Sequence, residues 1–150
     1  MVSVSGFRGR VGDPLTPELV CELAGEFTSF LRERNNGKVL VVARDSRTSG
    51  SMLARAVCAG ILSRGVNVLD LGIVATPTAM LTVEKKNALG GIMISASHNP
   101  AEWNALKLVS HDGSFLDVTM MTSFLNSISE ESQGNLAPWD QLGSYQSEEN

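Results

Sequence analysis

Ser97, His98 and Asn99 follow one another in the segment Ala96-Ser97-His98-Asn99-Pro100, and Lys107 comes ten positions after the serine. A serine hydroxyl can attack as a nucleophile or carry a phosphoryl group. An ammonium beside it can neutralise phosphate charge or, with a lowered pKa, move a proton. Pro100 biases Asn99 toward extended backbone and stiffens the turn. The plainer reading is a polar loop whose serine and asparagine satisfy backbone groups, followed by a solvated lysine. A second segment, Ser5-Gly6-Phe7-Arg8-Gly9-Arg10, sets Arg8 between glycines. Such a backbone can come close to a ligand while the guanidinium makes bidentate phosphate contacts. Its plain alternative is a surface turn with solvated arginines. In a third, Arg44-Asp45-Ser46-Arg47-Thr48-Ser49, the pair Asp45 and Arg47 either touches a ligand or buttresses a neighbouring loop.

Several chemistries find no support in these spacings. Gly6, Gly9 and Gly12 recur by threes, which matches neither the G-x-G-x-x-G dinucleotide fingerprint nor a P-loop. Ser97 is flanked by Ser95 and Asn99 where a nucleophile elbow has glycines. Adjacent Ser97 and His98 are poorly placed as nucleophile and base, so a serine hydrolase is the weakest reading. Cys21, Cys58, His98 and His111 lack zinc-ligand spacing, and the two cysteines read as reduced, core-facing thiols.

These segments need a scaffold, and the hydrophobic pattern supplies one. Thr16-Pro17 opens a helix over 16–34, with Leu19, Val20, Leu23, Ala24, Phe27, Phe30 and Leu31 on one stripe. Residues 38–43 form a short continuous apolar run, as expected of a strand buried on both faces. The alternation repeats, with a helix capped by Ser49 or Ser51 and ended by Gly65, then a strand over 66–71. Thr76-Pro77 caps a third helix that runs to about Asn87, and strands follow over 89–95 and 106–109, with a turn at Asp112-Gly113 and a last helix over 117–129. The expected fold class is α/β: a three-layer α/β/α sandwich around a mixed, mostly parallel sheet of about four strands. Open sheets of this kind bind ligands outside the carboxyl ends of their strands, where the serine segment and the 44–49 segment both fall.

The chain has 150 residues, 43% hydrophobic and 19% charged, which suits one domain with a substantial core and excludes disorder. A formal net charge of −4 argues against a nucleic-acid partner. No apolar run is long enough to span a membrane, and Arg8 and Arg10 interrupt any signal-like N-terminus, so the expected location is cytoplasmic. From Gln133 onward the character changes, with Gly134, Asn135, Pro138 and Gly143 among few apolar anchors. Residues 1–133 therefore read as the domain and 134–150 as a linker or tail.

Taken together, Ser5-Gly6-Phe7-Arg8-Gly9, Ala43-Arg44-Asp45-Ser46-Arg47-Thr48-Ser49, residues 72–77, and Ala96-Ser97-His98-Asn99-Pro100 with Asn104 and Lys107 closely resemble the first domain of the α-D-phosphohexomutase family. That family includes phosphoglucomutases, phosphomannomutases and phosphoglucosamine mutases. The resemblance covers about the first 110 residues, with the motifs in the family's order. It implies a four-domain enzyme that moves a phosphoryl group between the 1- and 6-positions of a hexose phosphate through a bisphosphorylated sugar. Ser97 would be the phosphoserine and, through its phosphate, one ligand of Mg²⁺. His98 and Asn99 would shape the loop, His98 as one of the catalytic residues and Asn99 as one of those that bind phosphate. Lys107 and Arg8 resemble the residues that stabilise phosphate and transfer the proton, with the base left open between them.

Ala105 departs locally from the family's pattern, where many members have glycine after the asparagine. The family's acidic metal-binding motif, sugar-selecting loop and C-terminal phosphate loop belong to later domains and are not in these residues. Trp139-Asp140-Gln141-Leu142-Gly143 resembles the lead into a second domain. The expectation is thus an isolated first domain, inactive without domains II–IV, whose parent takes a hexose phosphate with a hexose 1,6-bisphosphate as activator. The rival expectation from a different class is a non-enzymatic phosphosugar-binding module.

Overall fold

A computed structural model describes residues 1–128 and 136–148. Thr16 caps the first helix as expected, its hydroxyl accepting from the Leu19 amide at 3.1 Å, and Pro17 follows at the first helical position. That helix, α1 (Pro17–Arg32), leads to strand β2 (Val39–Arg44), helix α2 (Gly50–Leu62), strand β3 (Asn67–Ile73), helix α3 (Thr76–Lys85), strands β4 (Gly90–Ile94) and β5 (Trp103–Val109), and helix α4 (Val118–Ile128). Two more strands lie outside this series, β1 (Gly6–Arg10) before it and β6 (Tyr145–Ser147) after it.

The sheet therefore has six strands rather than about four, in the order β1-β5-β4-β2-β3-β6. It is mixed as expected: β2 runs parallel to β3 and β4, β6 parallel to β3, while β5 is antiparallel to both β4 and β1. Both extra strands are edge strands, and neither carries the continuous apolar run that marks an inner strand. Tyr145 holds β6 in place by donating to Asp70 Oδ2 at 2.6 Å across to β3. The described part of the segment expected as a tail thus returns to the sheet. The expected boundary at 133/134 lies outside the described residues, as does Ser129 at the end of the last helix.

Alternating side chains of each strand feed two cores. Leu40 and Val42 of β2 face α1, α2 and α4, where Phe124 meets Phe27 and Phe30 at ring-centroid distances of 5.4 and 5.3 Å. Val41 and Ala43 face the opposite way, against Ala79 and Val83 of α3. This is the expected three-layer arrangement. The inner strand β4 permits it by starting with two glycines: a Cβ on Gly91 would lie 2.8 Å from Val83 Cγ2 of α3, and one on Gly90 2.8 Å from Leu31 Cδ1 of α1. Helices on both faces close down on a strand without side chains there.

Two expected caps differ. Ser49 occupies the N-cap of α2 but makes no capping bond, because its hydroxyl accepts from Asn104 Nδ2 at 2.9 Å instead. The third helix is capped at Ala75, with Thr76 already inside it. Cys21 and Cys58 are free thiols, and burial with the nearby Asp70 charge pushes Cys58 up to about 12. Among the described residues no helix is long and apolar enough to cross a membrane.

Candidate active site

Because β2, β3 and β4 are parallel, their carboxyl ends open on one edge of the sheet, and the loops that leave β2 and β4 meet there. The Asp45 amide donates to Ile94 O at 3.0 Å and the Val74 amide to Arg44 O at 3.2 Å, tying all three exits together. Asp45, Ser46, Arg47, Ser97, Asn99 and Ala101 line an open crevice at this edge.

Ser97 sits just past β4, exposed, with φ of 55°. Left-handed backbone is unfavourable for a residue with a Cβ and persists where the surroundings hold it. Its amide donates to Ser95 Oγ at 3.3 Å. The holding contacts come chiefly from Arg47. One terminal nitrogen of its guanidinium donates to Pro100 O (2.7 Å) and Trp103 O (3.1 Å), the other to Ser97 O (3.0 Å) and Asn99 O (2.7 Å). Asp45 orients this arginine: Oδ1 accepts from the Arg47 amide at 3.0 Å, and Oδ2 lies 3.5 Å from Arg47 Nε. Of the two roles open to this pair, buttressing the neighbouring loop is the one observed.

The β4–β5 turn brings Lys107 back to the serine, with Nζ donating to Ser97 Oγ at 3.3 Å. Register then adds Arg8, because β1 pairs Gly6 with Lys107 and Arg8 with Ala105. Residues two apart on a strand share a face, so Arg8 and Lys107 are diagonal neighbours on one side of the sheet. Neither a loop nor the alternative surface turn, the segment is a strand that delivers an arginine. Gly6, directly opposite Lys107, allows the strands to close, since a Cβ there would lie 1.9 Å from Leu106 O.

Burial together with the Arg8 charge lowers the Lys107 pKa, and Asp45 partly offsets this. The Arg8 Nε atom is buried and has no hydrogen-bond partner among the described residues. Two cations on one face beside a serine hydroxyl, one of them with an unused donor, suit an anion such as phosphate. Buried Asn104 sets the base of the site, bridging to Ser49 Oγ and accepting from the Ala105 amide at 2.9 Å.

The structure therefore brings Ser97, Lys107 and Arg8 to one site. Asn99 lines the crevice and gives its carbonyl to Arg47, whereas His98 is exposed and makes no hydrogen bond to another described residue. Sequence reading did not reach the roles of Asn104 and Ser95, nor the bearing of Asp45 on Lys107. As for a metal, no group of three or more His, Cys, Asp or Glu side chains among the described residues could hold one. These residues by themselves do not make a Mg²⁺ site, and a phosphate on Ser97 would add a single ligand.

Residues 2–135 match the family model described as phosphoglucomutase/phosphomannomutase, alpha/beta/alpha domain I. The Pyrococcus abyssi protein named probable phosphoglucosamine mutase is 36% identical over 139 residues, covering 93% of this chain and 30% of its own length. A phosphoglucosamine mutase of Streptococcus thermophilus is 47% identical over 114 residues, covering 75% of this chain and 25% of its own. The solved structure of a candidate phosphomannomutase from Thermus thermophilus superposes with a TM-score of 0.83 at 27% identity, over 99% of this chain and 33% of that one. The chain spans about a quarter to a third of the length of these relatives.

Proposed function

Since this chain belongs to the phosphoglucomutase/phosphomannomutase family, as its α/β/α domain I, we propose that it is the phosphoserine domain of a cytoplasmic phosphohexomutase whose remaining domains supply the rest of the site. The observation that carries this reading is the exposed Ser97 Oγ at 3.3 Å from Lys107 Nζ, on the loop that resembles the family's serine loop. Phosphoryl transfer rests mainly on positioning and charge neutralisation, which this arrangement can provide.

In the proposed cycle, phosphorylated Ser97 gives its phosphoryl group to the free 1- or 6-hydroxyl of a hexose monophosphate. The Ser97 O–P bond breaks, a bond from phosphorus to the sugar oxygen forms, and the proton of that hydroxyl leaves to a base while Ser97 Oγ regains one. The bisphosphorylated sugar turns, and its other phosphate returns to Ser97 by the reverse step. Lys107 is our choice of proton carrier. An arginine stays protonated in proteins, so Arg8 acts as a fixed charge on the phosphate. Asn99 and His98 shape the loop. Mg²⁺, when bound, would supply further charge neutralisation, and its other ligands would come from outside this chain. Hexose 1,6-bisphosphate would prime the serine. Because relatives are named phosphoglucosamine mutase, glucosamine phosphate is the first sugar to try.

The test is peptide mass mapping of the intact protein that carries these residues, purified without phosphatase. A phosphoryl group on Ser97 that is lost on adding a hexose monophosphate supports the mechanism, and Ser97→Ala should abolish turnover. A Ser97 that is never phosphorylated, even with hexose 1,6-bisphosphate, would replace the mutase by a phosphosugar-binding module.

A further inference from the structure

We infer that Arg47 is a positioning residue for the Ser97 chemistry: its guanidinium gathers four carbonyls of the serine loop and thereby holds the Ser97 hydroxyl in its presented geometry, without touching the reacting atoms. The catalytic half of this statement rests on the proposed mutase reading, and the structural half on geometry alone.

The carbonyls of Ser97, Asn99, Pro100 and Trp103 all point at the two terminal nitrogens of one side chain. Carbonyl dipoles converging negative end to negative end repel one another unless a cation sits among them. Besides strand pairing, three backbone bonds among the described residues brace the same stretch: from the Asn99 amide to Ala96 O, from the Trp103 amide to Pro100 O and, at its far end, from the Val11 amide to Glu102 O. With the guanidinium removed, all four carbonyls lose its N–H groups, Pro100 O keeping only the Trp103 amide, and the loop is free to reopen. Ser97, held at φ of 55°, is the residue with the most conformational reason to move.

Arginine suits this role and lysine does not. The planar guanidinium offers five N–H groups in a fixed fork, whereas an ammonium offers three from one point. Arg47 is also anchored apart from the loop it holds. Its backbone follows β2, its amide and Nε are both engaged by Asp45, and its side chain is 15% exposed. The frame of the serine loop is thus referenced to the inner parallel strands. Asp45 further links the clamp to the site, because the same carboxylate favours the charged form of Lys107.

The experiment compares the intact protein with its Arg47→Ala and Arg47→Lys variants in two measurements. One is hydrogen exchange of the amides in residues 96–104. The other is the rate at which Ser97 takes a phosphoryl group from hexose 1,6-bisphosphate, with and without millimolar guanidinium. Arg47→Ala should speed exchange at Asn99 and Trp103 and slow transfer about 100-fold, the scale of a misplaced reacting group. KM should stay within about threefold, because an interaction that does not bind substrate shows in kcat. Free guanidinium should restore part of the rate, and Arg47→Lys should fall between wild type and Arg47→Ala.

Wild-type exchange and rate in Arg47→Ala would overturn the inference. So would a loss confined to KM, which would make Arg47 a substrate contact, or a loss that guanidinium leaves untouched. If Arg47→Ala does not fold, Asp45→Asn keeps the guanidinium but loosens it, and should show the same pattern in milder form. Unchanged exchange in Asp45→Asn and Arg47→Lys would then be the overturning result. If wild-type Ser97 never accepts a phosphoryl group, the mutase reading fails, while the exchange comparison still decides the clamp.

Discussion

Lys107 donates to the Ser97 hydroxyl across 3.3 Å because β5 returns antiparallel along β4, which places a residue ten positions downstream back at the exit of the preceding strand. The same return places Lys107 next to Arg8 of β1, so two cations share one face of the sheet.

The first prediction concerns that lysine. Burial and the Arg8 charge both disfavour its protonated form, so Lys107 should titrate below the ordinary lysine value of 10.5. Its folded pKa is depressed, so its contribution to stability is present above the unfolded value and is lost as pH falls through the folded one. Arg8→Gln should raise the pKa, and Asp45→Asn should lower it further. An NMR titration of the lysine Cε signals measures all three, and an upward shift in Asp45→Asn would contradict the geometry.

Tyr145 is the chain's only tyrosine, so absorbance of the phenolate reports it alone. Its hydrogen bond to Asp70, with some burial and the Asp70 charge, raises its pKa to about 12 from 10.0. A raised pKa means that the contact stabilises the fold below pH 10 and is lost as pH climbs through about 12. An alkaline spectrophotometric titration should therefore give a midpoint near 12 in the wild type and nearer 10 in Asp70→Asn. Equal midpoints would mean that β6 is not held by this bond.

Phe124 is fully buried and meets three phenylalanine rings, those of Phe7, Phe27 and Phe30. Phe124→Ala leaves a cavity where α4 meets α1 and the β1 edge, and should cost about 3–5 kcal/mol in urea unfolding. A loss below about 1 kcal/mol would show that α4 adds little to this core.

At Gly91 the substitution to test adds atoms. A Cβ would lie 2.8 Å from Val83 Cγ2 and 3.2 Å from Val41 O, so Gly91→Ala forces α3 away from the sheet. Overpacking of this sort costs about 1–3 kcal/mol, read as a lower urea midpoint at unchanged slope. Val83→Ala in the same chain should recover part of the loss by removing the clashing methyl groups.

The inner elements were legible because burial on both faces writes itself into sequence as apolar runs and helical stripes. Residues 38–43 and 89–95 announce β2 and β4 in this way. The edges were not legible for the converse reason. Gly6 to Arg10 carries two arginines and two glycines, and Tyr145, Gln146 and Ser147 are all exposed, so neither strand has the periodicity that marks a core face. The serine loop and its lysine stood out by residue type, yet the grip on that loop did not. Arg47 binds carbonyl oxygens, and every residue has one, so no side-chain pattern betrays which four it holds. Ser49 similarly looks like a helix cap until the structure shows its hydroxyl accepting from Asn104.

Strand order also governs when the site can exist during folding. β1 stands at one end of the strand order and pairs there with β5, Gly6 opposite Lys107, so Arg8 reaches the lysine through a contact of very high sequence separation. Closing so long a loop is entropically late and slow, and a chain emerging from the ribosome must first release β5. Without β1 in place, Ser97 and Lys107 would lack the Arg8 charge beside them. The anion-binding capacity of the site is thus tied to the pairing of the N-terminal strand and not to the inner core alone.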